Sequence, residues 1–199
     1  MRMKYTILLC TAILLPAAVI AQSTLFSHSI GGGIFTARKY LGAAVIYTPR
    51  FNFLQFSQHS AISLETSIAA GMNIGDNYNS NTGGNSTSIF MFNAPVLLSW
   101  NYGNAATCKA RDKAGFFAGL GWGFHNSAHP TEHIDPDEEE ADPGQLHISG
   151  LALSTGVRWQ LYHRSVGLKI SWLFNNNRYN PDIAGIGGVS VNYNIGSRY

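Results

Sequence analysis

The stretch Gly150-Leu151-Ala152-Leu153-Ser154-Thr155-Gly156-Val157-Arg158-Trp159-Gln160-Leu161 decides the fold. Its odd-numbered positions carry Leu151, Leu153, Thr155, Val157, Trp159 and Leu161; its even-numbered positions are small or polar. Successive side chains of a strand point to opposite faces, so this period of two separates one apolar face from one hydrophilic face. The pattern continues downstream. Val166, Leu168, Ile170, Trp172 and Phe174 oppose Ser165, Gly167, Lys169 and Ser171, with Leu173 as an exception. Val189, Val191, Tyr193 and Ile195 oppose Ser190, Asn192 and Asn194. Upstream, Phe116, Ala118, Leu120, Trp122 and Phe124 alternate with glycines, broken by Phe117, and Ile62 to Met72 alternate similarly. Eight strands are predicted, at roughly 26–36, 42–54, 60–74, 88–101, 115–125, 146–162, 165–175 and 187–199. No segment shows the i, i+3, i+4 apolar stripe of a helix.

Such faces have two physical solutions. A soluble, lipocalin-like barrel would turn the apolar face inward, whereas a membrane barrel turns it to lipid and lines its lumen with the other face. Three features favour the membrane solution. The hydrophilic face is rich in Gly, Ser, Asn and Ala, which suit a narrow eight-stranded interior better than a solvated surface. The strands run to about 10–15 residues, beyond the usual 5–6 and enough for a tilted crossing. All four tryptophans, Trp100, Trp122, Trp159 and Trp172, fall on the apolar face. With strands alternating in direction, Trp100 and Trp159 lie toward one rim and Trp122 and Trp172 toward the other, as aromatic girdles do.

Composition agrees. Of 199 residues 45% are hydrophobic and only 12% charged, about half the charge expected of a soluble domain. Arg2 and Lys4, then the apolar run Tyr5 to Ile20, predict a signal peptide over 1–21, cut after Ala21. Residues 22–199 then form one barrel domain. The cut removes two of the 13 Lys and Arg, leaving 11 against 11 acidic residues, so the mature chain is formally neutral. No basic stripe remains for a nucleic acid. Cys108 is the lone mature cysteine, which excludes an internal disulfide.

Both termini of an even-stranded barrel face the periplasm, and the longer connections face outward. The outward ones are expected at 37–41, 75–87, 126–145 and 176–186; the inward ones at 55–59, 102–114 and 163–164. Seven of the 11 acidic residues fall between Glu132 and Asp142. Within that loop His129, His133, Asp135 and Asp137 are the candidate metal ligands. Their spacing fits no defined site, so a solvated charged loop is the preferred reading and no cofactor is expected. On the lumen face, Glu65 is expected to oppose Arg50 across the second hairpin. Arg158 is expected to oppose Lys169 across the hairpin centred near His163. Charges inside so small a barrel must pair or meet water. A salt-bridged plug is the preferred reading over a gate or an anion-preferring constriction.

Several segments carry a family resemblance: Tyr47-Thr48-Pro49-Arg50-Phe51-Asn52, Phe92-Asn93-Ala94-Pro95-Val96-Leu97-Leu98, and Gly115-Phe116-Phe117-Ala118-Gly119-Leu120-Gly121. The chain resembles the small eight-stranded outer-membrane β-barrels of Gram-negative bacteria, the OmpA/OmpX-like and PorT-like proteins. The resemblance implies an all-β, up-and-down transmembrane barrel with outer-membrane lipid around it. It also implies a final strand, here with Tyr193, Ile195 and Tyr199, read by the barrel assembly machinery. Ser197 and a terminal Tyr in place of Phe depart from that pattern. A structural or interaction role follows, with a protein partner reached through exposed loops and a PorT-like part in secretion or assembly as its finer form. His125-Asn126-Ser127 is similar to the His-x-Ser of the lipid A deacylase family, with Ser127 as nucleophile and His125 as base. That family continues with Asn, where Ala128 stands here, and the chain is read as non-enzymatic. A narrow channel is the remaining alternative. Mass spectrometry of the membrane-extracted protein should find Gln22 as its first residue.

Overall fold

A computed structural model of the chain describes residues 25–37, 40–73, 78–79, 84–85, 90–128, 145–178, 181 and 183–195. Among these, every regular element is a strand. They are β1 (Phe26–Ala37), β2 (Tyr40–Ser57), β3 (Ser60–Thr66), β4 (Ile68–Asn73), β5 (Tyr78–Asn79), β6 (Gly84–Asn85), β7 (Phe90–Asn93), β8 (Val96–Gly103), β9 (Ala114–Ala128), β10 (Gln145–Leu161), β11 (Arg164–Phe174) and β12 (Gly185–Ile195). The strands β3 and β4 form one stave interrupted at Ser67; β7 and β8 form another, interrupted at Ala94 and Pro95. Proline lacks the N–H that a ladder position needs. The Ala94 N–H still donates to Phe124 O at 3.0 Å, which holds the broken stave against β9. The short β5 and β6 pair only with each other.

Eight antiparallel staves close into a ring, because β1 pairs with β2 on one side and with β12 on the other. The closing seam runs from His28↔Ile195 to Thr36↔Gly187. A closed ring leaves no backbone edge, the condition for crossing a bilayer with strands. Tyr193 and Ile195 lie in this seam with their side chains outward. Residues 1–21, the loop candidates His129, His133, Asp135 and Asp137, and Tyr199 lie outside the described residues.

The apolar faces point outward. Trp122 is 54% exposed, and Leu64, Leu98, Leu120, Val157 and Val191 are similarly exposed. Asn52, Ser63, Ser99 and Asn101 are 0% exposed. Water would reverse this partition, since apolar surface gains by leaving it. Lipid on the outside does not, and the soluble lipocalin-like arrangement is thereby set aside.

The interior is packed in two storeys. Toward the end where Ala37 pairs with Tyr40, the side chains of Phe35, Ile46, Met91, Leu97, Leu146, Ile148, Leu173 and Ile186 form an apolar core. The exceptions in the alternation belong here and just below: Leu173 and Phe117 face inward because the lumen has volume to fill. Phe117 fits because Gly156 stands beside it; a Cβ on Gly156 would lie 2.5 Å from the Phe117 ring. Toward the other end the lining turns polar and charged.

That second end bears the 58–59 and 162–163 turns and a longer segment, 104–113, that folds up as a stopper. Asn104, Ala105, Ala106, Thr107 and Ala110 are all buried. Thr107 Oγ1 donates to Gln58 O at 2.6 Å, and Asn104 Nδ2 to Asp112 O at 2.8 Å. Asp112 in turn pairs with His59 at 2.6 Å. Gly103 enters the segment with φ +72, the left-handed region where glycine is unstrained. A Cβ there would sit 2.4 Å from Ala114 O.

One expected register is corrected. Arg50 does oppose Glu65, but Arg158 opposes Gly167, and Lys169 opposes Gly156. The hairpin turns through the two residues Tyr162 and His163, with Leu161↔Arg164 closing it, instead of centring on His163. The last strand is described as far as Ile195, and 196–199 of the expected strand lie outside the described residues.

The folded barrel should migrate faster on an SDS gel unboiled than boiled. Leu120→Arg, placed in the lipid-facing band, should lower unfolding stability in liposomes by about 2–4 kcal/mol. Tyr162→Arg, in the exposed turn, should change it by no more than about 0.5 kcal/mol.

Candidate functional site

The charged storey of the lumen gathers side chains from the whole ring. Arg50 of β2, Glu65 of β3, Arg158 of β10 and Lys169 of β11 point inward, each no more than 6% exposed. Alternation puts them there: each sits on the small or polar face of its strand. Lys169 Nζ lies 3.3 Å from Glu65 Oε1 and donates to Ser67 Oγ at 2.7 Å. The Ser67 hydroxyl also accepts from Thr48 Oγ1 at 3.1 Å. The break between β3 and β4 thus supplies a polar anchor for a cross-lumen lysine.

Arg50 is held by three bonds to neutral partners. Its Nε donates to Ser27 Oγ at 2.9 Å, its Nη1 to Asn101 Oδ1 at 3.0 Å, and its Nη2 to the carbonyl of Ala105 in the stopper. Asn101 Nδ2 donates to Ser63 Oγ at 2.9 Å, and Ser63 Oγ to Asn52 Oδ1 at 2.6 Å. Arg158 places its guanidinium over the Phe117 ring, 4.2 Å from the centroid. Asn194 Nδ2 donates to Ser165 Oγ at 3.0 Å, and that hydroxyl donates to Asn104 Oδ1 of the stopper. Burying charge is costly unless it is paired and hydrogen-bonded, and these chains meet that condition by spanning the ring.

Little space is left over. One cavity of about 20 Å³ lies among the charged groups, and another of about 30 Å³ lies in the apolar storey. Each has room for roughly one or two water molecules.

The structure places His125 and Ser127 on one face, as their spacing demands, but that face is the lumen. His125 is 0% and Ser127 3% exposed, and the His125 ring lies 5.9 Å from the Phe35 ring. Register sets them beside Ile148, Leu146 and Met91. Neither side chain is exposed on the outer face of the wall. Among the described residues no group of three His, Cys, Asp or Glu is arranged to hold a metal. Trp100 and Trp159 lie on the outer face toward the stopper end, level with Ala118 and Ala114 of β9. Trp122 and Trp172 lie outward nearer the opposite end.

No family model matches the sequence, and no curated protein matches it either. Solved structures do. Ail, the attachment invasion locus protein of Yersinia pestis, superposes with a TM-score of 0.52 at 11% identity, covering 85% of this chain and 97% of that one. The fold is that of the small outer-membrane β-barrels. Ail in complex with the heparin analogue sucrose octasulfate gives 0.52 at 10% identity over the same shares of the two chains. Neisserial surface protein A gives 0.45 at 9% identity, over 85% and 94%.

For an outer-membrane-type barrel, the stopper is the feature that alternation could not disclose. Its only sequence signal is the set of small residues Ala105, Ala106 and Ala110 in an otherwise polar connection. The buried ion pair yields a test. Lys169→Met removes the cation that is hydrogen-bonded to the Glu65 carboxylate and should cost about 3 kcal/mol in urea unfolding, at the low end for a broken buried pair because Arg50 and Arg158 stay nearby. Combining it with Glu65→Gln should recover a large part of that loss.

Proposed function

We propose that the protein is a non-enzymatic integral protein of the Gram-negative outer membrane, a closed barrel that holds outward connections for a protein partner. It is exported by a signal peptide cut after Ala21. The observation that carries this reading is the lumen among the described residues, whose cavities of about 20 and 30 Å³ favour a post over a pore. A scaffold of this kind needs rigidity inside and exposes its chemistry elsewhere. The outward faces of Trp100, Trp159, Trp122 and Trp172, the first pair nearer the stopper end and the second nearer the other, support a role in interfacial girdles. Tyr193 and Ile195, outward on the closing strand, support its recognition together with Tyr199 by the assembly machinery.

Ail is crystallised with a heparin analogue, a polyanion. Charge argues for a different kind of partner here. The connection between β9 and β10 carries seven acidic residues from Glu132 to Asp142, which repel sulfated glycans and attract a cationic protein surface. The PorT-like resemblance supports placing that partner in protein secretion or assembly.

In planar bilayers the wild type should show no steady pore conductance. Replacing the seven acids of 132–142 by Asn and Gln should weaken partner capture from cells by about tenfold or more, with the barrel's gel shift intact. Unchanged capture by that variant would sink the loop-mediated reading.

A further inference from the structure

The four lumen charges surround one cavity. Arg50, Glu65, Arg158 and Lys169 all line it, and Asn192 and Asn194 of β12 complete the wall with side-chain amides. Three of the four charges are positive and one is negative. A water-poor interior disfavours charge concentrated in one sign, and a small anion seated among the cations relieves it. The donors are already oriented. Phe117 beneath Arg158 fixes the plane of its guanidinium, and Ser67 and Glu65 fix Lys169 Nζ from one side. The volume, about 20 Å³, exceeds the roughly 10–15 Å³ that one water requires. A halide is little larger than water and fits the space. We propose that this cavity is a binding site for a single halide-class anion, held between Lys169 and Arg158, with Arg50 adding field from the β2 wall.

The test uses the whole mature barrel folded in detergent micelles. Crystals soaked in sodium bromide should show a bromine anomalous peak inside the lumen, between Lys169 and Arg158. In solution, the thermal midpoint of the gel-mobility shift should rise with chloride or bromide. It should stay level with gluconate at matched ionic strength, because gluconate does not fit the cavity. Lys169→Met and Arg158→Gln should each weaken apparent halide affinity by about tenfold or more, the worth of one charge-assisted hydrogen bond. Lys109→Gln, outside the lumen, should leave it unchanged. Should the cavity variants fail to fold, Glu65→Gln decides: removing the competing carboxylate should strengthen the halide dependence severalfold. Absence of the lumen peak, or equal midpoints in chloride and gluconate, overturns the site, since the cavity then holds water alone. A halide effect that survives both Lys169→Met and Arg158→Gln overturns it equally.

Discussion

Every other property of this molecule depends on the pairing of β1 with β12. In lipid a strand cannot leave its N–H and C=O groups unpaired, because no water is present to replace the missing bonds. Closing His28–Thr36 on Gly187–Ile195 removes both edges at once. Once the ring is closed, the two faces of each strand belong to different solvents. The outer face meets hydrocarbon and carries Leu, Val, Phe and Trp; the inner face is shut away and must be filled by the chain itself.

The filling uses two chemistries. Where the inner positions are large and apolar, around Ile46, Leu97, Leu146 and Ile186, they interdigitate as an ordinary core. Where they are charged, they are connected across the ring, Lys169 to Glu65 and Ser67, Arg50 to Ser27, Asn101 and Ala105. The stopper joins both requirements. It covers the end of the barrel and lends backbone and amide oxygens to Arg50 and Ser165. An interior tied together in this way is suited to holding connections still, and poorly suited to passing solutes.

Much of the fold was legible because its signal has a period of two and repeats through eight staves. The faces of Leu151 to Leu161 and of Val189 to Ile195 were read correctly from alternation alone. The Arg158–Lys169 register was not, and the reason is physical. A shift of two residues along a strand leaves every side chain on its own face, so periodicity does not detect it; only the turn at Tyr162 and His163 sets it. Phe117 and Leu173 broke the pattern for a reason that is three-dimensional, the need to fill a cylinder beside Gly156. The stopper was illegible because its contacts reach Gln58, Ser165 and Arg50, all far away in sequence, with no periodic signal in the connection. The outward connections beyond the described residues remain matters of composition.

The stopper also works as a cross-brace. It lies between β8 and β9, yet its partners come from β2, the turn before β3, and β11. The middle of the chain is thereby tied to both halves of the ring, so loss of the stopper's contacts would loosen strands on opposite sides of the cylinder together. The end of this barrel is less a lid laid on a tube than a strut built into its wall.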